Sequence, residues 1–290
     1  MPASTRNVTL ARGRKPRPEK KEPLRKRRKK ARKAFFVALS FLAILLLAAL
    51  LYVCWLPALR VTEVSASGPH AEEARALALS ELSGTHFLVL PRNSLFLVPE
   101  DAIRARILEE HPDIEAVSIS AAGLTTLAIS AQPRAEAFVW CGASREVPEA
   151  SCYRANAEGL IFAALPPEAA STTPSLRIYA PIIGREGVSA VRAHIEQAAR
   201  IPDMLRFVKA LETLGADIAS LSVRADEADL HTAGGTRITY LIGKEVEAAG
   251  IAASVFPQLK LNDGSVEYLD LRFEGKAYFK RSGQEASGEE

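Results

Sequence analysis

Residues 114–130 read IEAVSIS AAG LTTLAIS. Ile114–Ser120 and Leu124–Ser130 are two alternating segments rich in β-branched residues, and Ala121-Ala122-Gly123 separates them. That pattern predicts an antiparallel hairpin. Just upstream, Pro99–His111 predicts a helix: Pro99 suits an early helical position, and Ile103, Ile107 and Leu108 supply one apolar face. Pro112 ends it, because the residue before a proline avoids helical geometry. Further back, His86–Leu90 (HFLVL) is a short apolar run. Ala71–Leu82 predicts another helix, with Ala74, Leu77, Ala78 and Leu82 on its buried face and Gly84 as the stop. Leu59–Ala66 (LRVTEVSA) predicts a strand with Val61 and Glu63 on one face and Thr62 and Val64 on the other; Ser67-Gly68-Pro69 turns the chain. The order is strand, helix, helix, strand, strand, so this part of the chain is α+β.

N-terminal to that unit lies Ala34–Leu56, 23 residues without a charge. At about 1.5 Å per residue such a helix matches a bilayer core of ~30 Å. Residues 1–33 hold 15 Lys or Arg against only Glu19 and Glu22, a net +13, whereas the remainder holds 22 basic and 32 acidic residues, a net −10. Positive charge beside a span is retained on the cytoplasmic side. The expectation is a single-pass, type II protein with residues 34–56 in the membrane, a disordered basic tail over 1–33 that meets anionic lipid headgroups, and the C-terminal part outside. The rival is a cleaved signal peptide, which has a shorter apolar stretch and small residues at its cut; here Leu56-Pro57-Ala58 follows. Nucleic acid is not an expected partner, because no aromatic lies among the charges to stack on bases.

Downstream, Cys141 and Cys152 are separated by ten residues that include Gly142 and Pro148. Ala137–Trp140 and Tyr153 read as the arms of a hairpin, so the pair predicts either a disulfide in an oxidising compartment or two free thiols. Cys54 lies within the span as a small lipid-facing or packing residue. Leu176–Tyr179 reads as a short strand. Val191–Leu214 reads as a helix interrupted near Pro202, with Met204, Phe207, Val208, Leu211 and Leu214 on one face and Gly215 at its end. Ile218–Val223, Asp229–Thr232 and Thr236–Ile242 are strand-like, with Gly234-Gly235 as a tight turn. Glu245–Leu259 reads as a helix weakened by Gly250. Val266–Phe273 (VEYLDLRF) and Lys276–Lys280 (KAYFK) predict a closing hairpin across Glu274-Gly275. Residues 281–290, polar and acidic over Gly283–Glu290, read as a disordered tail.

No catalytic constellation emerges. The five histidines are scattered, with no pair at i, i+4, and no third cysteine or nearby histidine completes a metal site. Gly-x-Ser-x-Gly and Walker-type loops are missing. Glu72-Glu73, Glu109-Glu110 and Asp226-Glu227 read as solvated helix faces or turns. Asp270 and Arg272 share a strand face and read as an ion pair or a turn contact. The expectation is a protein that is not an enzyme and takes no cofactor, metal or small-molecule substrate.

These landmarks resemble the FtsQ/DivIB family of bacterial cell-division proteins and their POTRA domain. The similar features are the Val61-x-x-Val64 strand, Gly84-Thr85-x-Phe87-Leu88, and Ile103-x-x-x-Ile107 before His111-Pro112-x-Ile114. Arg154–Phe162 and the Tyr268-x-Asp270-Leu271-Arg272-Phe273 run belong with them. Gln132–Ala137 departs from the family's Glu-Arg-x-Pro-x-Ala. The resemblance implies a POTRA domain over 57–134 and an FtsQ-type mixed α/β domain over 135–280 that ends in a β-hairpin. It also implies a bitopic divisome scaffold at the septum, with FtsB/DivIC-like and FtsL-like partners and, through them, septal peptidoglycan synthases. Tyr268, Asp270, Leu271, Arg272 and Phe273 would be the motif, and Lys276, Tyr278, Phe279 and Lys280 the edge to which a partner strand adds. Tyr278 and Phe279 are equally readable as hairpin packing. Two other classes remain open: a membrane-anchored POTRA chaperone or export factor, and an envelope sensor acting through its basic tail.

Overall fold

A computed structural model gives the structure of residues 24–86, 90–149, 151–166, 168, 175–185 and 187–283. Residues 1–23 and 284–290, the outer parts of the tails read above over 1–33 and 281–290, lie outside the described residues, as do Phe87–Val89 of the HFLVL run. Arg281 and Ser282, read as tail, instead continue the last strand and its hydrogen bonding. The fold is mixed α/β with one N-terminal apolar helix.

Helix α1 (Leu24–Trp55) contains a 24-residue stretch, Arg32–Trp55, that is long and apolar enough to cross a membrane. No residue of its most apolar window is buried among the described residues. The helix starts at Leu24, so the basic residues from Arg25 to Lys33 are helical and not part of a coil. Lys, Arg and Ala are good helix formers, and the long apolar segment propagates the helix into them. Pro57 opens a single 3₁₀ turn, Pro57–Leu59, where the strand was expected to begin. Arg60 then stacks over Trp55, 5.5 Å from the ring centroid, and its Nε donates to Asn93 Oδ1 at 3.2 Å.

The next unit runs β1 (Glu63–Ser67), α2 (Ala71–Leu82), the short pair β2 (Thr85–His86) and β3 (Leu90–Pro91), α3 (Glu100–Glu110), β4 (Ile114–Ala121) and β5 (Thr126–Pro133). Its sheet has the order β1-β5-β4, with β5 parallel to β1 and antiparallel to β4. Two backbone irregularities correct the simple alternation. Thr62 and Glu63 both donate their amides to the Thr125 carbonyl. Val61 and Val64, predicted on opposite faces, are therefore both buried. A register shift between Ile114 and Ala116 does the same for Ile114 and Val117. A bulge adds one residue to one strand and so moves later side chains to the other face. Ala74, Ala78 and Leu82 of α2 and Ile103 and Ile107 of α3 complete this core.

A second core belongs to a nine-stranded sheet of order β16-β15-β14-β13-β12-β9-β6-β7-β8. Its strands are β6 (Phe138–Trp140), β7 (Tyr153–Ala155), β8 (Ile161–Ala164), β9 (Arg177–Tyr179), β12 (Ile218–Arg224), β13 (Glu227–Thr232), β14 (Arg237–Leu241), β15 (Val266–Asp270) and β16 (Tyr278–Arg281). A separate pair, β10 (Ile182–Ile183) and β11 (His194–Ile195), lies beside it. The β11 pairing corrects the helix predicted from Val191: Arg192 has a left-handed φ of 75°, and α4 runs only from Ile201 to Thr213. Pro202 in the first turn suits that start. Ile201, Met204, Phe207, Val208 and Leu211 of α4 are buried, and Phe207 meets Tyr240 with centroids 4.5 Å apart. Leu214 falls outside the core. Gly215 (φ 95°) closes α4 as a Schellman turn: its amide donates to Glu212, and that of Ala216 to Leu211. α5 (Glu245–Val255) ends in a 3₁₀ turn, Phe256–Gln258, short of the predicted Leu259.

Cys141 and Cys152 form a disulfide that closes the β6–β7 connection, with Cα atoms 4.3 Å apart. Cys54 is buried at the end of α1.

Candidate partner-binding edge

The two ends of the large sheet differ. At the β8 end, Ile161 donates its amide to Ala193 and accepts one from Arg192, so the chain at 192–193 covers the start of that strand. At the other end, β16 has a paired neighbour only in β15 among the described residues.

The hydrogen-bond directions at the β16 end follow from two contacts. Leu271 donates to the Thr239 carbonyl at 2.8 Å, so the main-chain groups of Leu271 and Leu269 face β14. Those of Tyr268 and Asp270 then face β16, where they pair with Lys280 and Tyr278. Ser282 donates to the Ser265 carbonyl at 3.0 Å. Alternation along β16 therefore turns the amides of Tyr278, Lys280 and Ser282 inward and those of Phe279 and Arg281 to the open side.

Beside that open row lie exposed aromatic rings. Phe273, Tyr278 and Phe279 are 48, 50 and 46% exposed. Phe273 and Tyr278 meet edge to face, 5.0 Å between centroids, and Arg272 lies 6.0 Å over the Phe273 ring. These rings are therefore surface, not hairpin core. Lys276 is exposed, and Lys280 is held by Glu267 through a 2.8 Å ion pair across the hairpin.

The residues before the hairpin turn do a different job. The strand predicted to run to Phe273 stops at Asp270, whose carboxylate accepts the Arg272 amide at 3.0 Å. The same carboxylate accepts Arg272 Nε at 2.9 Å and Nη2 at 2.6 Å, while Arg272 Nη1 reaches Glu227 Oε1 at 2.6 Å. Burial alone would raise the Asp270 pKa, but the Arg272 hydrogen bonds outweigh it and hold the carboxyl below its usual value. The hydrogen bond to Asp270, then that to Glu227, raises Arg272 further above its ordinary range. Leu271 is 4% exposed and its amide is occupied, which removes it from any partner surface. Tyr268 is half-buried, with Arg237 5.9 Å over its ring. Motif and edge are thus distinct: Asp270, Leu271 and Arg272 fix the bend, and Phe273, Tyr278 and Phe279 face solvent.

Sequence spacing hid Glu227. It lies 45 residues before Arg272 and read as part of a solvated turn. It also hid a histidine pair. The histidines are not all scattered: His70 and His111 stack with centroids 4.2 Å apart, beside Glu73 and Asp113. No pattern of one chain segment links residues so far apart.

Compared with known proteins, the chain matches no family model and no curated sequence.

Proposed function

We propose that this protein is a membrane-anchored scaffold that binds a partner polypeptide by β-strand addition along β16. The single observation that carries this reading is the open side of β16. It has outward main-chain groups at Phe279 and Arg281 and exposed aromatic rings beside them, next to a bend held by Asp270, Arg272 and Glu227. An unpaired strand edge offers donors and acceptors to an extended peptide, and neighbouring side chains select it. Lys276, Lys280 and Arg281 on the same hairpin discourage indiscriminate pairing.

The resemblance to FtsQ/DivIB-type division proteins sets the context of this proposal. The β-α-α-β-β order with sheet order β1-β5-β4 supports a POTRA unit after the span. The later sheet ending in the Tyr268–Phe273 hairpin supports the second domain. On this reading the basic segment is cytoplasmic, the sheets are extracytoplasmic, and the partners are FtsB/DivIC-like and FtsL-like proteins at the septum.

The test is binding of the full chain in detergent to the outer segment of such a partner. Phe279→Pro is the discriminating variant. It removes an outward amide, and proline is tolerated on an edge strand when its nitrogen faces solvent. The expected outcome is loss of saturable binding with the thermal unfolding midpoint retained. Binding at wild-type affinity by a folded Phe279→Pro protein would remove β16 as the contact.

A further inference from the structure

His70 opens α2 with a left-handed backbone (φ 53°), a conformation uncommon outside Gly, Asn, Asp and His. The turn sets its imidazole against that of His111, which follows α3, with 16° between the ring planes. Glu73, in the first turn of α2, reaches both rings. Its Oε2 lies 2.9 Å from His70 Nδ1 and 3.4 Å from His111 Nε2. The other nitrogen of His70, Nε2, lies 2.8 Å from Asp113 Oδ2. The His111 side chain is only 11% exposed, and the Glu73 contact does not make a hydrogen bond, which leaves its Nε2 buried without one. A buried nitrogen lone pair or N–H without a partner is costly.

We propose that His70 Nδ1, Glu73 Oε2 and His111 Nε2 bind a zinc ion, with Asp113 orienting His70 from its far nitrogen. Two imidazoles and a carboxylate are a donor set for this borderline metal. All three ligand atoms lie within 4.8 Å of one another. Tetrahedral bonds of about 2.0 Å separate ligand atoms by ~3.3 Å, between the 2.9 and 3.4 Å contacts present here. A histidine that gives its second N–H to a carboxylate has its tautomer and ring direction fixed for the metal, and Asp113 supplies that group. Binding requires the stacked rings to splay until their lone pairs converge. His70, 37% exposed, has room to turn. The fourth position, beside the groove lined by Ala76, Leu77, Arg106 and Glu110, takes water. The ion would join the start of α2 to the chain leaving α3, independently of β16 and its partner.

The test is calorimetric titration of the full chain in detergent with zinc chloride, repeated on Glu73→Gln and His111→Gln. One equivalent should bind with a micromolar or tighter dissociation constant, and each variant should bind at least about tenfold more weakly. Asp113→Asn should weaken binding in the same direction. Glu73 is exposed, so its substitution leaves the core untouched and separates lost ligation from lost folding. Failure of the wild-type chain to bind zinc at micromolar concentration overturns the proposal. So does unchanged affinity in folded Glu73→Gln protein.

Discussion

At the scale of single residues, the entry to β15 and the bend before β16 depend on contacts that leave little freedom. Gly234, in the β13–β14 turn, lies against the backbone of Asn262: a Cβ there would be 2.3 Å from its carbonyl carbon and oxygen. Thr232 and Thr236 donate hydroxyls to the Leu261 carbonyl in the same place, at 2.8 Å each. That junction delivers the chain into β15, so Gly234→Ala should destabilise the fold by about 1–3 kcal/mol through overpacking, measured as a lower denaturation midpoint. An unchanged midpoint would mean that the 261–265 segment shifts freely. Asp270 has a lowered folded pKa, so its contribution is complete above the unfolded value near 4 and is lost as pH falls through the lower folded value. Removing the Arg272 side chain takes away its hydrogen bonds and charge, leaves only the residue-272 amide and Arg237 to oppose burial, and so raises that folded value. Arg272→Ala should therefore cost roughly 1–2 kcal/mol, discounted because the guanidinium is partly exposed. Its acid unfolding should also begin at higher pH than wild type. Identical acid profiles would rule out the ion pair as the holder of the bend.

At the scale of elements, the direction of each amide on β16 decides what a substitution does. Tyr278 is the natural target from sequence, yet its amide faces β15. Tyr278→Pro should therefore damage the hairpin itself, whereas Phe279→Pro should damage only the open side. Hydrogen exchange across β15 separates the two: it should rise in the first variant and stay low in the second. The β6–β7 connection offers a second check. Its disulfide closes a short loop, and a loop of this size contributes about 2–3 kcal/mol through lost chain entropy. Reduction should lower the denaturation midpoint accordingly. A midpoint insensitive to reductant would show that the buried contacts of Val139, Cys141 and Leu165 hold the loop without the bond.

At the scale of the whole molecule, one apolar helix precedes two large buried cores and the small cluster beside the disulfide. The strongly basic N-terminal flank predicts its orientation across a membrane. In sealed vesicles of known orientation, wild-type chains should insert one way, and replacing Arg25–Lys30 with neutral residues should give a mixture, read by protease protection of the C-terminal part. Wild-type chains whose sheets share a side with the basic flank would overturn the type II reading.

The sequence by itself determined what depends on neighbours along the chain. The uncharged run of Ala34–Leu56, the faces of α2, α3 and α4, the segments that became β4, β5, β12 and β13, and the closeness of Cys141 to Cys152 all express local periods or short loops. Tertiary structure decided what depends on register. It put Val61 with Val64 and Ile114 with Val117 by adding residues to strands, and it replaced the first half of one predicted helix with β11. It also joined Glu227 to Arg272, stacked His70 on His111, and left β16, not β8, as the open edge. None of these is a property of a segment. Each is fixed by pairings summed over residues distant in sequence, and a one-residue change of register would alter all the side chains that follow.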